Sequence, residues 1–450
     1  MNFKKTKIAI ALGFLPLYSS SSFSEAITID VLISSKAADT PINIVRNASQ
    51  TIYNELNALT NRTEQQDALL ATLDYINTST DEEGVVKALL EISPKRNGGT
   101  AIVSRKSPSA IPIKGIGKRL SALRKSAKRS NFLGKSKPAS ARNDRLSSDL
   151  IKYNTDPALE SGGLLDQRLS AFVTANGIIA EQSDTLYEAG FDGSTKQLTA
   201  GADYRVNNKT FAGAAMSFAV GNMDMTQGGK LDNTSSTLLL YATRSINDNW
   251  FADVTFNAGT RSFEMERSIN FTQNTTTVVS EASSTPDGSV LGMSFGTGYD
   301  FVTNSGHSLS LLASFNYSKS SIDAFEETGS SAYKLAIGEQ TIESKMIEAG
   351  VEWRQAISTS FGVVLPQLSA KWVTEFEDKA DAINARFVAD PSNTNLHFET
   401  GNKDQSYMNL RLGATLVLPK GLAGFAQYET QQFIADYQQS MFSLGARKEF

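Results

Sequence analysis

The sequence predicts an all-β fold: a 12-stranded antiparallel transmembrane β-barrel, preceded by a short helical or disordered N-terminal segment. Three observations carry the prediction. From about Ala158 onward, apolar and polar residues alternate with period two. Short Gly/Asn/Asp breaks alternate with long polar connections, the spacing of an outer-membrane barrel. Charges recur on one strand face only, and a soluble sandwich could not bury them there without partners.

The chain of 450 residues begins with a secretory signal over residues 1–26. Lys4, Lys5 and Lys7 precede the apolar run Ile8 to Leu17, and a small polar tail offers cleavage after Ser24 or Ala26. The mature protein is therefore expected to leave the cytoplasm. No apolar run reaches the 18 residues a spanning helix needs, which says nothing against strands that are apolar at every second position. The absence of Cys excludes disulfides, Cys-ligated metal and a thiol nucleophile. It also suits a chain that must stay unfolded on its way to a membrane.

The net charge of -4 is a sum of unlike zones. Residues 26–94 carry ten acids and four bases, residues 95–145 fifteen bases and one acid, and residues 161–450 are mildly acidic. In residues 27–94, a small helical segment, Ile52, Leu56 and Leu59, then Leu69, Leu70, Leu73 and Ile76, then Val85, Val86, Leu89 and Leu90 recur at helical spacing. Asp81, Glu82 and Glu83 mark a helix start and Pro94 its end. Their carboxylates read as solvated helix faces.

Residues 95–160, rich in Ser, Lys, Arg, Gly and Pro, form a basic linker that cannot fold alone. Within it Ile116, Leu120, Leu123 and Ala127 share a face and bases occupy the rest. This pattern suits a flexible linker or the phosphates of lipopolysaccharide and other outer-membrane lipids. It lacks the interleaved aromatics of a nucleic-acid binder, so no nucleic acid is expected.

In the last zone, 161–450, the face Met408, Leu410, Leu412, Ala414, Leu416 opposes Tyr407, Asn409, Arg411, Gly413, Thr415. The segments near 252, 308 and 347 alternate in the same way. Twelve strands are expected to start near 169, 195, 209, 234, 249, 288, 306, 342, 359, 404, 421 and 438, with long loops at about 267–287, 321–340 and 378–400. Asp203, Arg205, Asp253, Arg261, Asp300, Arg354, Lys371, Arg411 and Arg447 fall on the lumen face. Tyr204, Trp250, Tyr299, Phe301, Trp372, Tyr428 and Phe442 fall where interfacial girdles form. The final strand, with Phe442, Leu444, Gly445, Ala446 and Phe450, is like the signal read by the outer-membrane assembly machinery, with Lys448 where an apolar residue is usual.

Residues Phe172 to Asn176, Gly190 to Ser194, Leu198 to Arg205, Gly362 to Gln367, Phe376 to Asp378 and Ala385 to Pro391 resemble, in order and spacing, the translocator domain of autotransporters. These are the type V secretion proteins of Gram-negative bacteria. The family positions are Phe191, Gly201, Asp203, Tyr204, Arg205 and Pro366. The resemblance implies a monomeric barrel with a pore helix, placed here at roughly 140–153, inserted with the help of periplasmic chaperones and the assembly machinery. It also implies that an upstream passenger is translocated or anchored. Only about 130 residues separate the signal from the first strand, without a β-helix repeat, so the passenger is very short.

No catalysis, cofactor or metal is expected. A plugged outer-membrane pore or channel, or a purely structural barrel, is the alternative. A barrel-embedded hydrolase is remote, because His307 and His397 lack a local Ser/Asp frame.

Overall fold

In the computed structural model, the structure describes residues 40–94, 168–185, 189–303, 307–376, 382–398 and 406–450. The expected signal peptide, the basic stretch and the pore helix lie outside the described residues.

Three helices come first, each opened by a side-chain cap. Helix α1 (Pro41–Ala58) starts with Pro at its first position, and the Thr40 hydroxyl accepts from Asn43 N. Helix α2 (Glu64–Thr78) opens on a reciprocal capping box between Thr63 and Gln66. Helix α3 (Glu82–Ile92) is capped by Asp81, which accepts from Gly84 N, and carries Glu82 and Glu83 in the first turn, where the dipole favours them. Gly84 has no room for a side chain, because the Tyr75 hydroxyl and the Asp81 carboxylate stand over it.

The barrel strands are β1 (Leu169–Gln182), β2 (Phe191–Asn207), β3 (Thr210–Met225), β4 (Lys230–Ser245), β5 (Trp250–Gln273) and β6 (Asp287–Val302). They continue as β7 (His307–Ile322), β8 (Gln340–Gln355), β9 (Gly362–Glu375), β10 (Ser406–Val417), β11 (Leu422–Gln432) and β12 (Tyr437–Glu449). Each pairs antiparallel with the next, and β12 pairs with β1 from Ser170↔Glu449 to Gln182↔Tyr437, which closes the sheet. An even strand number brings the start of β1 and the finish of β12 to the same end, here called the turn end. Its connections are short. Asn207 Oδ1 accepts from Lys209 N, Asn247 Oδ1 accepts from Asn249 N and Trp250 N, and Lys420 and Gly421 take positive φ after Pro419.

The alternation expected from sequence sorts as a membrane barrel requires. Leu198, Phe218, Leu238, Leu240, Phe256, Leu291, Phe295, Leu368 and Leu412 point outward and are exposed, while their neighbours in sequence line the inside. Trp250, Tyr204, Phe301, Trp372 and Phe442 also face out, as girdle residues do. The Lys448 stem lies on this outer face and its ammonium donates to the Lys420 carbonyl at the turn end.

At the opposite, loop end the structure differs from the expected long polar loops. Strand β5 does not stop near 267. It continues to Gln273, turns at Asn274 and returns as a strand over Thr276–Ser284, so a hairpin rises above the rim. The other two long connections contribute a small sheet in the order Leu396–Phe398, Ile383–Phe387, Leu335–Ile337 and Phe325–Glu326. Strands of two to five residues are too short to display a period, which is why they read as loop.

The helices share one core with this loop-end sheet. Ile52, Leu56, Leu69, Leu73, Leu89 and Ile92 are fully buried in the same cluster as Phe271, Leu335, Phe387, Leu396 and Phe398. Fifty-five residues bury too little apolar surface to be secure alone, and here the loops supply the other half of the core. Leu73→Ala is expected to destabilise the helical segment by about 2–5 kcal/mol. The check is loss of the helical signal at lower temperature, with heat-modifiable gel migration of the barrel unchanged.

Candidate functional site: the lumen and the cap at its loop end

Along the lumen, polar side chains are held by their neighbours across the strands. Asp203 on β2 is buried and accepts from the Ser170 hydroxyl at 2.9 Å and the Tyr241 hydroxyl at 2.5 Å. Asn176 bonds to Gln197 at 2.7 Å and Thr199 to Ser217 at 2.9 Å. The wall made by β8 to β12 is instead charged. Lys371 meets Glu348 at 3.1 Å, Arg411 meets Glu429 at 2.9 Å, Arg447 meets Glu449 at 3.1 Å, and Arg354 pairs with Glu352. Glu375 accepts from Ser344 Oγ and Lys345 N, both at 2.7 Å. Pairing is what makes these charges tolerable inside a narrow barrel.

Aromatic rings take up lumen space by lying over glycines of the adjacent strand. Tyr241 lies over Gly213, Phe251 over Gly298 and Phe425 over Gly445, each directly across the ladder. A Cβ at any of the three would collide with the ring, which gives these glycines a packing reason.

Near the loop end the lumen face turns apolar. Phe191, Met225, Leu231, Phe263, Ile322 and Ile342, one from each of six strands, fall in one buried cluster, with Tyr437 packed against it. The edge-on Phe191 and Tyr437 rings are 6.4 Å apart. Such a collar narrows the barrel with side chains that offer water no hydrogen bonds.

Above the collar sits the helical segment. The lumen-side face of β5 continues into the hairpin as Arg267, Ile269 and Phe271, all buried, and the helices pack on that face. Arg267 is 2 % exposed and Glu327 5 %. Their pairing is bidentate, Nε to Oε1 at 2.9 Å and Nη2 to Oε2 at 2.7 Å. Arg267 also donates to the carbonyls of Tyr333 at 2.6 Å and of Glu91, on α3, at 3.1 Å. The Glu91 carboxylate accepts from Asn270 N at 2.9 Å. Thr72 on α2 bonds to Gln273 and to the Tyr333 hydroxyl, both at 2.8 Å, and Gln66 donates to the Ala389 carbonyl at 3.4 Å. Burial pushes the Tyr333 phenol above its ordinary range, and the hydrogen bond with Thr72 works against that shift. Tyr75 is raised too, by burial first and then by Asp81.

The residues singled out from the sequence do not converge on one spot. Phe191 belongs to the collar, and Asp203 anchors Tyr241 and Ser170. Gly201 leaves space against Phe172 and Ala215, and Arg205 stands 5.5 Å over the Phe211 ring. Tyr204 faces outward, and Pro366 pairs with Ala414 in the β9–β10 ladder. On β12, Phe442, Leu444 and Ala446 form an outward row, Gly445 takes Phe425, and Phe450 is exposed, its N–H donating to the Leu169 carbonyl.

The two histidines stand at opposite ends. His307 opens β7 and stacks on Trp353, while His397 lies on the loop-end sheet with Nδ1 3.0 Å from Asn384 Oδ1. Among the described residues, no group of three or more His, Asp or Glu is placed to hold a metal. The residues the sequence did not point to are Arg267, Glu327, Glu91 and Thr72. Their importance lies in contacts between segments 60 to 261 residues apart, which leave no local pattern.

Comparison with known proteins agrees with this architecture. The family model of the autotransporter beta-domain matches residues 171–429. The translocator domain of NalP from Neisseria meningitidis superposes with a TM-score of 0.52 at 15 % identity, covering 68 % of this chain and 95 % of that one. The beta domain of the Bordetella autotransporter BrkA gives a TM-score of 0.45 at 15 % identity, covering 63 % of this chain and 100 % of that one. Among curated proteins, Lipase 1 of Photorhabdus luminescens is 21 % identical over 303 residues, which are 67 % of this chain and 45 % of that protein. This chain thus spans less than half the length of that relative. With the profile covering more than half of its residues and a closed twelve-stranded barrel beneath it, the chain belongs to the autotransporter family and carries an outer-membrane β-domain.

Proposed function

We propose that the barrel exports residues 40–94 as a very short passenger and keeps them at the cell surface, with no chemistry of its own. One observation carries this reading. The helical segment is packed on the loop end, yet β1 begins at the turn end. With short turns on the periplasmic side, where the chain arrives, this placement at the opposite end supports passage of the segment across the membrane. The lipase named in the Photorhabdus relative belongs to a protein more than twice as long as the stretch shared with this chain.

The outward row Phe442, Leu444, Ala446 on β12 supports insertion by the assembly machinery, with periplasmic chaperones delivering the unfolded chain. Lipopolysaccharide and outer-membrane lipids would then contact the outer apolar face of a monomeric barrel.

An epitope inserted at Thr60–Asn61, in the exposed turn between α1 and α2, tests the sidedness. On intact cells it is expected to bind antibody and to be removed by added protease. Labelling only after permeabilisation would refute export. The charged lumen wall favours one second reading, a plugged pore. On that reading, planar-bilayer conductance is expected to stay low in the full chain and to rise on deletion of residues 95–160. A wild-type chain that conducts like an open porin would favour the channel reading instead.

A further inference from the structure

We infer that residues 40–94 are a self-supplied cap, bound to the loop end by a non-covalent interface strong enough to hold them there after the connection to the barrel is cut. The inference rests on the reading that the segment lies outside, and it adds what becomes of it once there: it is retained, and its partner is this chain's own loop sheet.

The interface has the composition of a permanent one. It is not a polar touch between two finished bodies but a single core divided between them. Leu73 and Leu89 from the helices and Phe271, Leu335, Phe387 and Leu396 from the loops are each fully buried in it. Separation would expose both halves to water at once, and the loop half would become an apolar patch on the cell surface.

At its centre, Arg267 and Glu327 are both almost wholly buried, so neither charge has water as a substitute partner. Arg267 ties three segments together, since one guanidinium reaches Glu327, the Tyr333 carbonyl and the Glu91 carbonyl of the cap. Glu327 accepts in addition from Leu335 N, which fixes the small loop strand that the cap sits on. Lifting the cap off removes the Glu91 carbonyl from Arg267 and the Glu91 carboxylate from Asn270 N in the same step. Thr72 would lose both Gln273 and Tyr333.

The cap also sits on a face continuous with the lumen. Arg267, Ile269 and Phe271 follow Arg261, Phe263 and Met265 on the inward side of β5. A segment held there overhangs the mouth rather than flanking the barrel. The barrel and cap therefore form one closed surface object, and a protease acting between them would nick the chain without liberating a soluble product.

The test inserts a site-specific protease recognition sequence between residues 100 and 110 of the full chain, with the epitope at Thr60–Asn61. After cleavage on intact cells and after detergent extraction, the cut cap is expected to remain on the cells and to co-elute with the barrel. Release of the epitope into the medium, with cells showing surface exposure before cleavage, overturns retention while leaving export standing. Absence of surface exposure before cleavage defeats the export reading itself, and so the two failures are distinguishable.

Two variants assign the hold to the contacts named. Arg267→Met strands Glu327 in the core and is expected to speed release of the cut cap by about a hundredfold or more. Thr72→Val, on the cap side where it cannot disturb barrel insertion, is expected to speed it by about tenfold. Heat-modifiable migration verifies the barrel in each. Release at the parental rate in both variants would show that this interface is not what retains the segment.

Discussion

Inside hydrocarbon no water is available to a peptide group, so every N–H and C=O of a crossing strand must be matched by the strand beside it, and the last strand by the first. The rest of this structure depends on that requirement. It fixes closure through β12 and β1, and because every pairing is antiparallel the strand count is even and start and finish lie at the same end. It also commits every strand to two faces, since the ladder consumes the backbone and only the side chains remain to meet lipid on one side and a narrow lumen on the other.

The lumen then has to be filled without stranding polar groups. Two devices solve this. Hydroxyls, amides and charges are matched across neighbouring strands, with Asp203 between Tyr241 and Ser170 and with Glu348, Lys371, Arg411 and Glu429 in pairs. Rings are laid over glycines, which gains volume without a collision. Near the loop end the wall becomes the apolar collar around Phe191 and Phe263. There the barrel stops being a polar conduit and starts to resemble a protein core, which the helical cap continues above the rim.

Closure also explains why the cap is where it is. Above the membrane the requirement relaxes, strands can leave the barrel, and loops are free to make a sheet of their own. That sheet has an apolar side and no second layer of its own among the described residues, while three short helices have an apolar side and too few residues for a secure core. Each completes the other. The buried Arg267–Glu327 pair adds less to net stability than its burial suggests, because both ions lost their water to form it. Its weight is in specificity: with an uncompensated charge as the penalty, only one seating of the cap satisfies Arg267, Glu327 and Glu91 together.

The sequence by itself determined what depends on local period. Twelve strands were legible, with starts within about four residues of those observed, because lipid on one side and lumen on the other enforce alternation over 11 residues or more in each. The helices of residues 41–92 were legible from spacing and from Asp81 and Pro94, whereas the Thr63 capping box was not. The lumen charges were legible as a face, since parity within a strand assigns Arg411 and Glu352 to the side opposite Leu410 and Trp353. Tertiary structure alone decided that the 267–287 connection is a hairpin, that loop residues some fifty positions apart meet in one sheet, and that Glu91 is a docking group rather than a solvated carboxylate. The physical reason is range: alternation and capping are set by the next few residues along the chain, whereas the core shared by Leu73 and Phe387 exists only once closure of the barrel has brought distant loops to the same rim.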